Sequence, residues 1–283
     1  MKKLIIKHFD DNKEQLKWLH DNREEIKAQR QAMIKEADGF SFMSFAVDEK
    51  GERIKAEDVP VDTTKLKIRA IINTTNLFDS HKDVHIPGIW KKSLSESKIF
   101  YLVNQHAFNY DGILTDDVKA SVQTYTWAEL GFKKIEGETQ ALVFDAVLDL
   151  DSPYMKDSPE NRKIFNLYKA GKVRNHSVQM RYVKDFFCIN SDSYPDEKEN
   201  WDKYYKYVAN KEEVDKYNYF FAVTEAKIIE GSAVVRGSNW VTPTLTTEEV
   251  KNIPIEADKT ITSEDEPPIN GTQTKKQNIF IKI

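Results

Sequence analysis

Between residues 65 and 147 the apolar residues fall into short runs, KLKIRAII, KIFYLVNQH and QALVFDAVLDL. Two longer runs follow Gly171, VRNHSVQMRYV and FAVTEAKIIEGSAVV. Rich in β-branched and aromatic residues and separated by turn formers, such runs read as strands. They require a β-rich core, because each must bury at least one face and pair with neighbours. In KIFYLVNQH, Ile99, Tyr101 and Val103 share one face and Phe100, Leu102 and Asn104 the other. Both faces are largely apolar, as in a strand covered on both sides.

The flanks are different. Residues 10–37 read as one helix, capped by Asp10 or Asp11, with Gly39 beyond its end. Leu19, Ile26 and Met33, helped by Leu16 and Ile34, make a narrow stripe on an otherwise charged rod. Such a seam suits a docking helix or a helix lying on its own domain. A second helix is punctuated by Ser158 as cap, Pro159 in the first turn and Gly171 at the end. The tyrosine-rich stretch 191–218 reads as a surface helix over the core or as a lid. Residues 246–283, including SEDEPPINGTQTKKQ, hold too little apolar surface to order themselves. The expected organisation is therefore a docking helix at 1–39, a domain at 40–245 with an insertion at 191–218, and a flexible tail at 246–283.

Composition narrows the function. The 283 residues can form one large domain or two small ones, and 40% hydrophobic with 31% charged is a globular balance. A net charge of −4 argues against a nucleic-acid binder. The single cysteine, Cys188, rules out an internal disulfide and a cysteine-based zinc site and fits a reducing compartment. No apolar run approaches the roughly 20 residues of a membrane span, and MKKLII has too short an apolar core for a signal peptide. A cytoplasmic protein is expected.

Three segments offer chemistry. His106 stands where KIFYLVNQH runs out into a loop. In VRNHSVQMRYV, His176, Val178, Met180 and Tyr182 share one face and Ser177, Gln179 and Arg181 the other. Adjacent residues on opposite faces cannot act on each other, so His176 reads as structural and Ser177 needs a base from elsewhere. Glu230 shares a face with Ile228, Ser232 and Val234 by the same alternation, an awkward place for an unpartnered carboxylate. A hydrogen bond from an imidazole relieves it and fixes that ring's tautomer. His106, Ser177 and Glu230 together make a Ser-His-acid set, which calls for a His nitrogen within about 2.6–3.5 Å of the serine oxygen. Asp79, His81, Asp83 and His85 crowd one loop, NTTNLFDSHKDVHIPGIWKKSLSES. His81, Asp83 and His85 point one way only if the loop is extended, and no cysteine or second histidine pair completes a closed site. A structural loop is expected, with no metal.

The chain resembles the prohead (capsid maturation) proteases of tailed bacteriophages, related in fold to the herpesvirus assemblins. The likeness covers about residues 68–243 and rests on FDSHKDVHIPGIWKKSL, NQH, GKVRNHSVQM and EGSAVVRGSNWVTP, in that order. It implies an α+β fold with a β-barrel-like core and flanking helices. It also implies a serine endopeptidase with His106, Ser177 and Glu230 catalytic, acting in the host cytoplasm inside the assembling prohead. Scaffold protein or the major capsid protein precursor would be the substrate. The likeness implies no cofactor, no direct nucleic-acid or membrane partner, and self-cleavage near the termini; homo-oligomerisation is left open. Arg236, Arg181 and Gln179 are candidates to face substrate or oxyanion. Two departures stand out: Gln179 occupies the place of the family's usual glycine, and NWVTP replaces the usual PAN. The first raises a competing reading, an inactive assembly factor on the same fold.

Overall fold

The computed structural model describes residues 6–7, 9–32, 34–35 and 64–249. In chain order the elements are α1 (Asn12–Asp21), α2 (Arg23–Ala32), β1 (Ile34–Lys35), β2 (Lys65–Thr74), β3 (Asp83–His85), α3 (Lys91–Glu96) and β4 (Leu102–Asn104). There follow β5 (Ile113–Thr115), β6 (Val118–Thr126), β7 (Glu138–Asp149), α4 (Pro159–Lys169) and β8 (Asn175–Ile189). The series ends with α5 (Pro195–Tyr204), a 3₁₀ turn (Tyr205–Tyr207), α6 (Lys211–Asp215), β9 (Tyr219–Val234) and β10 (Thr244–Glu249).

The fold is α+β, and the expected barrel is corrected: the described strands form two sheets with no closed barrel. One sheet runs β1-β8-β9-β4-β5, with β3 also on β9, and the other runs β10-β2-β7-β6. Leu66, Ile68, Ala70 and Ile72 of β2 and Leu142, Phe144, Ala146 and Leu148 of β7 meet Val178, Met180 and Ile228 in one buried core. Two packed sheets satisfy the same apolar patterning as a barrel. Where the sheets approach most closely, Gly231 is required: a Cβ there would lie 2.5 Å from Cε2 of Phe144.

Local signals produced the expected α4. The Ser158 side chain accepts from the Asn161 amide, Pro159 opens the helix, and Gly171 follows its end at φ +62°. The N-terminal segment differs from expectation. It is two helices, broken at Asn22, whose side-chain amide donates to the Trp18 carbonyl at 2.7 Å and so competes with the helical bond. Its apolar seam is not free for docking. Leu16, Leu19 and Ile26 are buried against Ile189, Tyr219 and Phe221 of the same domain. Arg30, fully buried, reaches Asp83 at 2.7 Å and Asp185 at 2.9 Å, fastening α2 to both. Met33 lies outside the described residues.

Stretch 191–218 covers the domain: Trp201, Tyr204, Val208 and Val214 pack on Cys188, Phe220 and Ala222. Two boundaries also move. The strand before His106 begins only at Leu102, and Ile99 is 60% exposed, not covered on both faces. Residues 246–249 belong to β10, an edge strand on β2, so the expected tail starts later; 250–283 lie outside the described residues. Among the described residues no helix is long and apolar enough to cross a membrane.

Candidate active site

Strand β9 is the spine of the site. It pairs antiparallel with β8, placing Ser177 opposite Ser232 and Gln179 opposite Glu230. On its other side it pairs parallel with β4, placing Val103 opposite Ser232. Partners in register share a face, so Ser177, Gln179, Glu230, Ser232 and Val103 all project away from the inter-sheet core. One expectation is corrected here. The register slips between Gln179/Met180, opposite Glu230 and Ile228, so Ile228 turns into the core while Glu230 faces out of it. A bulge of this kind re-aims a side chain that plain alternation would misplace.

His106 joins this face from the loop after β4. Gln105 and His106 both sit at left-handed angles, φ +49° and +58°, which non-glycine residues seldom adopt. The loop is over-determined by its neighbours. The His106 amide donates to Ser232 Oγ at 2.8 Å, and Ser232 Oγ in turn lies 3.3 Å from the Val103 carbonyl. The Gln105 amide donates to the Ala233 carbonyl at 3.0 Å. From α4, buried Asn161 donates to the carbonyls of Asp111, Ile113 and Tyr154 and pins the far end of the loop.

So held, His106 Nδ1 meets Glu230 Oε1 at 2.6 Å, with Glu230 fully buried and the imidazole 11% exposed. The opposite ring nitrogen, Nε2, is buried and among the described residues has no hydrogen-bond partner. Charge-assisted bonds of this length are strong, and a carboxylate on Nδ1–H leaves Nε2 as the basic nitrogen. Ser177 stands two strands away, beyond β9. No hydrogen bond joins it to Nε2, so the expected close contact is not formed. The reason is spacing: β8 and β4 flank β9 at about 4.8 Å each, so the two side chains must lean over Ser232 to meet.

The remaining expected residues separate clearly. A Cβ on Gly237 would lie 3.6 Å from that of Ser177, so the segment carrying Arg236 passes beside the serine. Arg236 itself is exposed. Arg181 is exposed and four residues along β8 from Ser177, about 13 Å, out of reach of an oxyanion formed there. Gln179 is buried beside Glu230. His176 faces the core as expected, bonded to the Tyr168 hydroxyl at 2.9 Å and the Thr242 carbonyl at 3.2 Å, and burial lowers its pKa to about 4.

In the loop that follows β2, Asp79, His81 and Asp83 bring one ligand atom each within 4.8 Å of one another. Lys82 at φ +65° breaks the extension, and His85 leaves that group to bond Asn73 at 3.1 Å and the Tyr182 hydroxyl at 3.2 Å. Asp83 accepts from Arg30 and from the Tyr182 hydroxyl at 2.6 Å, while Asp79 accepts the amides of His81 and Asp83. Hydrogen bonds internal to the fold explain these carboxylates.

Ser232, which accepts the His106 amide, is the member of this face that sequence reasoning passed over. It was placed on Glu230's face without a role; the adjoining EGS spacing is its only signal. Compared with protein-family models, with curated proteins and with solved structures, the chain matches none. Fold and site define an α+β protein with a carboxylate-oriented histidine next to a serine-bearing strand.

Proposed function

We propose that the chain is a serine endopeptidase of the prohead-maturation type, with a core related to that of the herpesvirus assemblins. The observation that carries the reading is the 2.6 Å His106–Glu230 bond, which leaves Nε2 bare on the face that holds Ser177. Rotation of the Ser177 side chain toward Nε2, over Ser232, sets up attack. Oγ adds to a peptide carbonyl as Nε2 takes its proton, and buried Glu230 stabilises the imidazolium. The imidazolium returns the proton to the departing amine, and water then hydrolyses the acyl-enzyme by the same route. Backbone amides near Ser177 and the Arg236–Gly237 segment beside it face the developing oxyanion. The substrates are scaffold protein and the major capsid protein precursor, cut inside the prohead in the host cytoplasm, with self-cleavage near the chain's own ends.

A second reading, an inactive assembly factor, is favoured by the lack of a hydrogen bond between His106 and Ser177 and by Gln179. One experiment separates the two. Purified protein is treated with a fluorophosphonate probe and, separately, with scaffold and capsid precursors. Labelling at Ser177 and cleavage that both vanish in Ser177→Ala support the protease; a wild type that neither labels nor cleaves supports the assembly factor.

A further inference from the structure

Large apolar side chains that stay in water are uncommon enough on one small surface to need a reason. Among the described residues Phe108 is 47% exposed and Tyr110 86% exposed, and both lie within four residues of His106 in the same loop. The Tyr101 ring packs edge-on against Phe108, with centroids 5.6 Å apart. Tyr101 precedes Val103 by two residues, and its carbonyl still accepts the Gly231 amide, so it shares the outward face with Glu230 and Ser232. Tyr154 closes the group. Its hydroxyl donates to Asp116 at 3.1 Å and lies within electrostatic reach of the Tyr101 and Tyr110 hydroxyls. The sheet order, β8 then β9 then β4, puts these rings, with His106, on the far side of β9 from Ser177.

That order has a chemical meaning if the protease reading holds, and the inference rests on that reading. The imidazole hands its proton to the departing amine, so the departing half of the substrate must lie over the histidine and continue past it. We propose that Tyr101, Phe108, Tyr110 and Tyr154 form the subsite for that half, taking an aliphatic or aromatic side chain from the few residues that follow the cut. Rigid rings edge-to-face with polar hydroxyl tips present apolar area to a side chain while their hydroxyls stay hydrated or bonded. Burying one such side chain discriminates by about 10- to 200-fold against a small polar one.

The test uses the full chain and a randomised peptide library read by mass spectrometry, followed by a matched peptide pair with Leu or Ser in the selected position after the cut. Leu, Ile, Phe or Tyr should be enriched there, and the pair should differ by at least about tenfold in kcat/KM. In the double variant Phe108→Ser, Tyr110→Ser that ratio should collapse toward unity; being a ratio, it is insensitive to the folded fraction. Wild-type protein that labels with fluorophosphonate at Ser177 but shows no such preference overturns the subsite and leaves the protease standing. So does a double variant that keeps the ratio. A concentration-dependent dimer that the double variant loses, with the peptide ratio unchanged, assigns the rings to a second copy of the chain and overturns the subsite. Wild type that neither labels nor cuts overturns both readings.

Discussion

The two faces of the β8–β9 pair carry histidines of opposite design. On the inner face His176 is fully buried with both ring nitrogens bonded to neutral groups, the Tyr168 hydroxyl and the Thr242 carbonyl. Among the described residues no nearby anion compensates a proton there, and burial holds its pKa down to about 4. On the outer face His106 has a carboxylate on Nδ1 and, among the described residues, no hydrogen-bond partner on Nε2. The inner ring is kept neutral; the outer one is arranged to accept a proton and have its charge balanced. Ser177 follows His176 in sequence yet belongs to the outer face, so one peptide bond separates the two surroundings. The two histidines thus differ in the charge of the partner and in the nitrogen left over.

The strongest way to break that contrast is to neutralise the outer partner. Glu230→Gln keeps the shape and removes the anion, so kcat on precursor should fall by on the order of 10⁴-fold with little change in KM. Steady-state kinetics measure it, and comparable rates in both proteins would take Glu230 out of the mechanism.

The inner face should speak through stability instead. His176 has a folded pKa near 4 against about 6.5 unfolded, so the unfolded chain binds the extra proton between those values. Stability from this group is complete above about pH 6.5 and declines as pH falls toward 4, by at most about 3 kcal/mol. Urea midpoints across that range should show the slope, and His176→Gln should flatten it. An unchanged slope in the variant would assign the acid sensitivity elsewhere.

Between the faces lies Gly231, with Phe144 pressed on the place of its missing Cβ. Gly231→Ala should destabilise the fold by about 1–3 kcal/mol through overpacking, with partial recovery in the pair Gly231→Ala, Phe144→Leu. Thermal melts of wild type, both single variants and the pair decide it; additive losses would show that the two residues are not coupled.

The smallest effect sharpens the outer face. Ser232→Ala removes the acceptor of the His106 amide and should lower kcat by about tenfold, with KM and melting temperature little changed. Ser232→Thr retains a hydroxyl and should recover most of the rate. A Thr variant no better than Ala would deny the hydroxyl a part in holding the loop.

Much of this architecture was legible in the chain because its signals are local. Ser158, Pro159 and Gly171 bound α4, and the apolar runs mark β2, β7, β8 and β9. Other features resisted for physical reasons. The TLTTEE strand β10 is polar because an edge strand covers its neighbour by backbone pairing, so it reads as tail. Arg30 sits in a charged run and looks solvated, yet Asp83 and Asp185 arrive from far along the chain to bury it. The helix seam through Leu19 and Ile26 has the same pattern whether it faces a partner or its own Phe221; only packing chooses.

The site divides along the same line. Alternation is a property of the extended backbone, so the sequence by itself determined that His176 and Ser177 must point apart and that any base for Ser177 comes from another strand. Which base, and in what geometry, belongs to tertiary structure. The His106–Glu230 bond joins residues 124 positions apart, through a shared neighbour in β9 and a loop at unfavourable φ that Ser232 and Asn161 hold. The bulge that turns Glu230 away from Ile228 is a register event between β8 and β9. Register is decided by what packs beneath a strand, here Gly231 under Phe144. A single run of residues cannot specify it, because the two faces of an isolated strand carry no information about which will be covered.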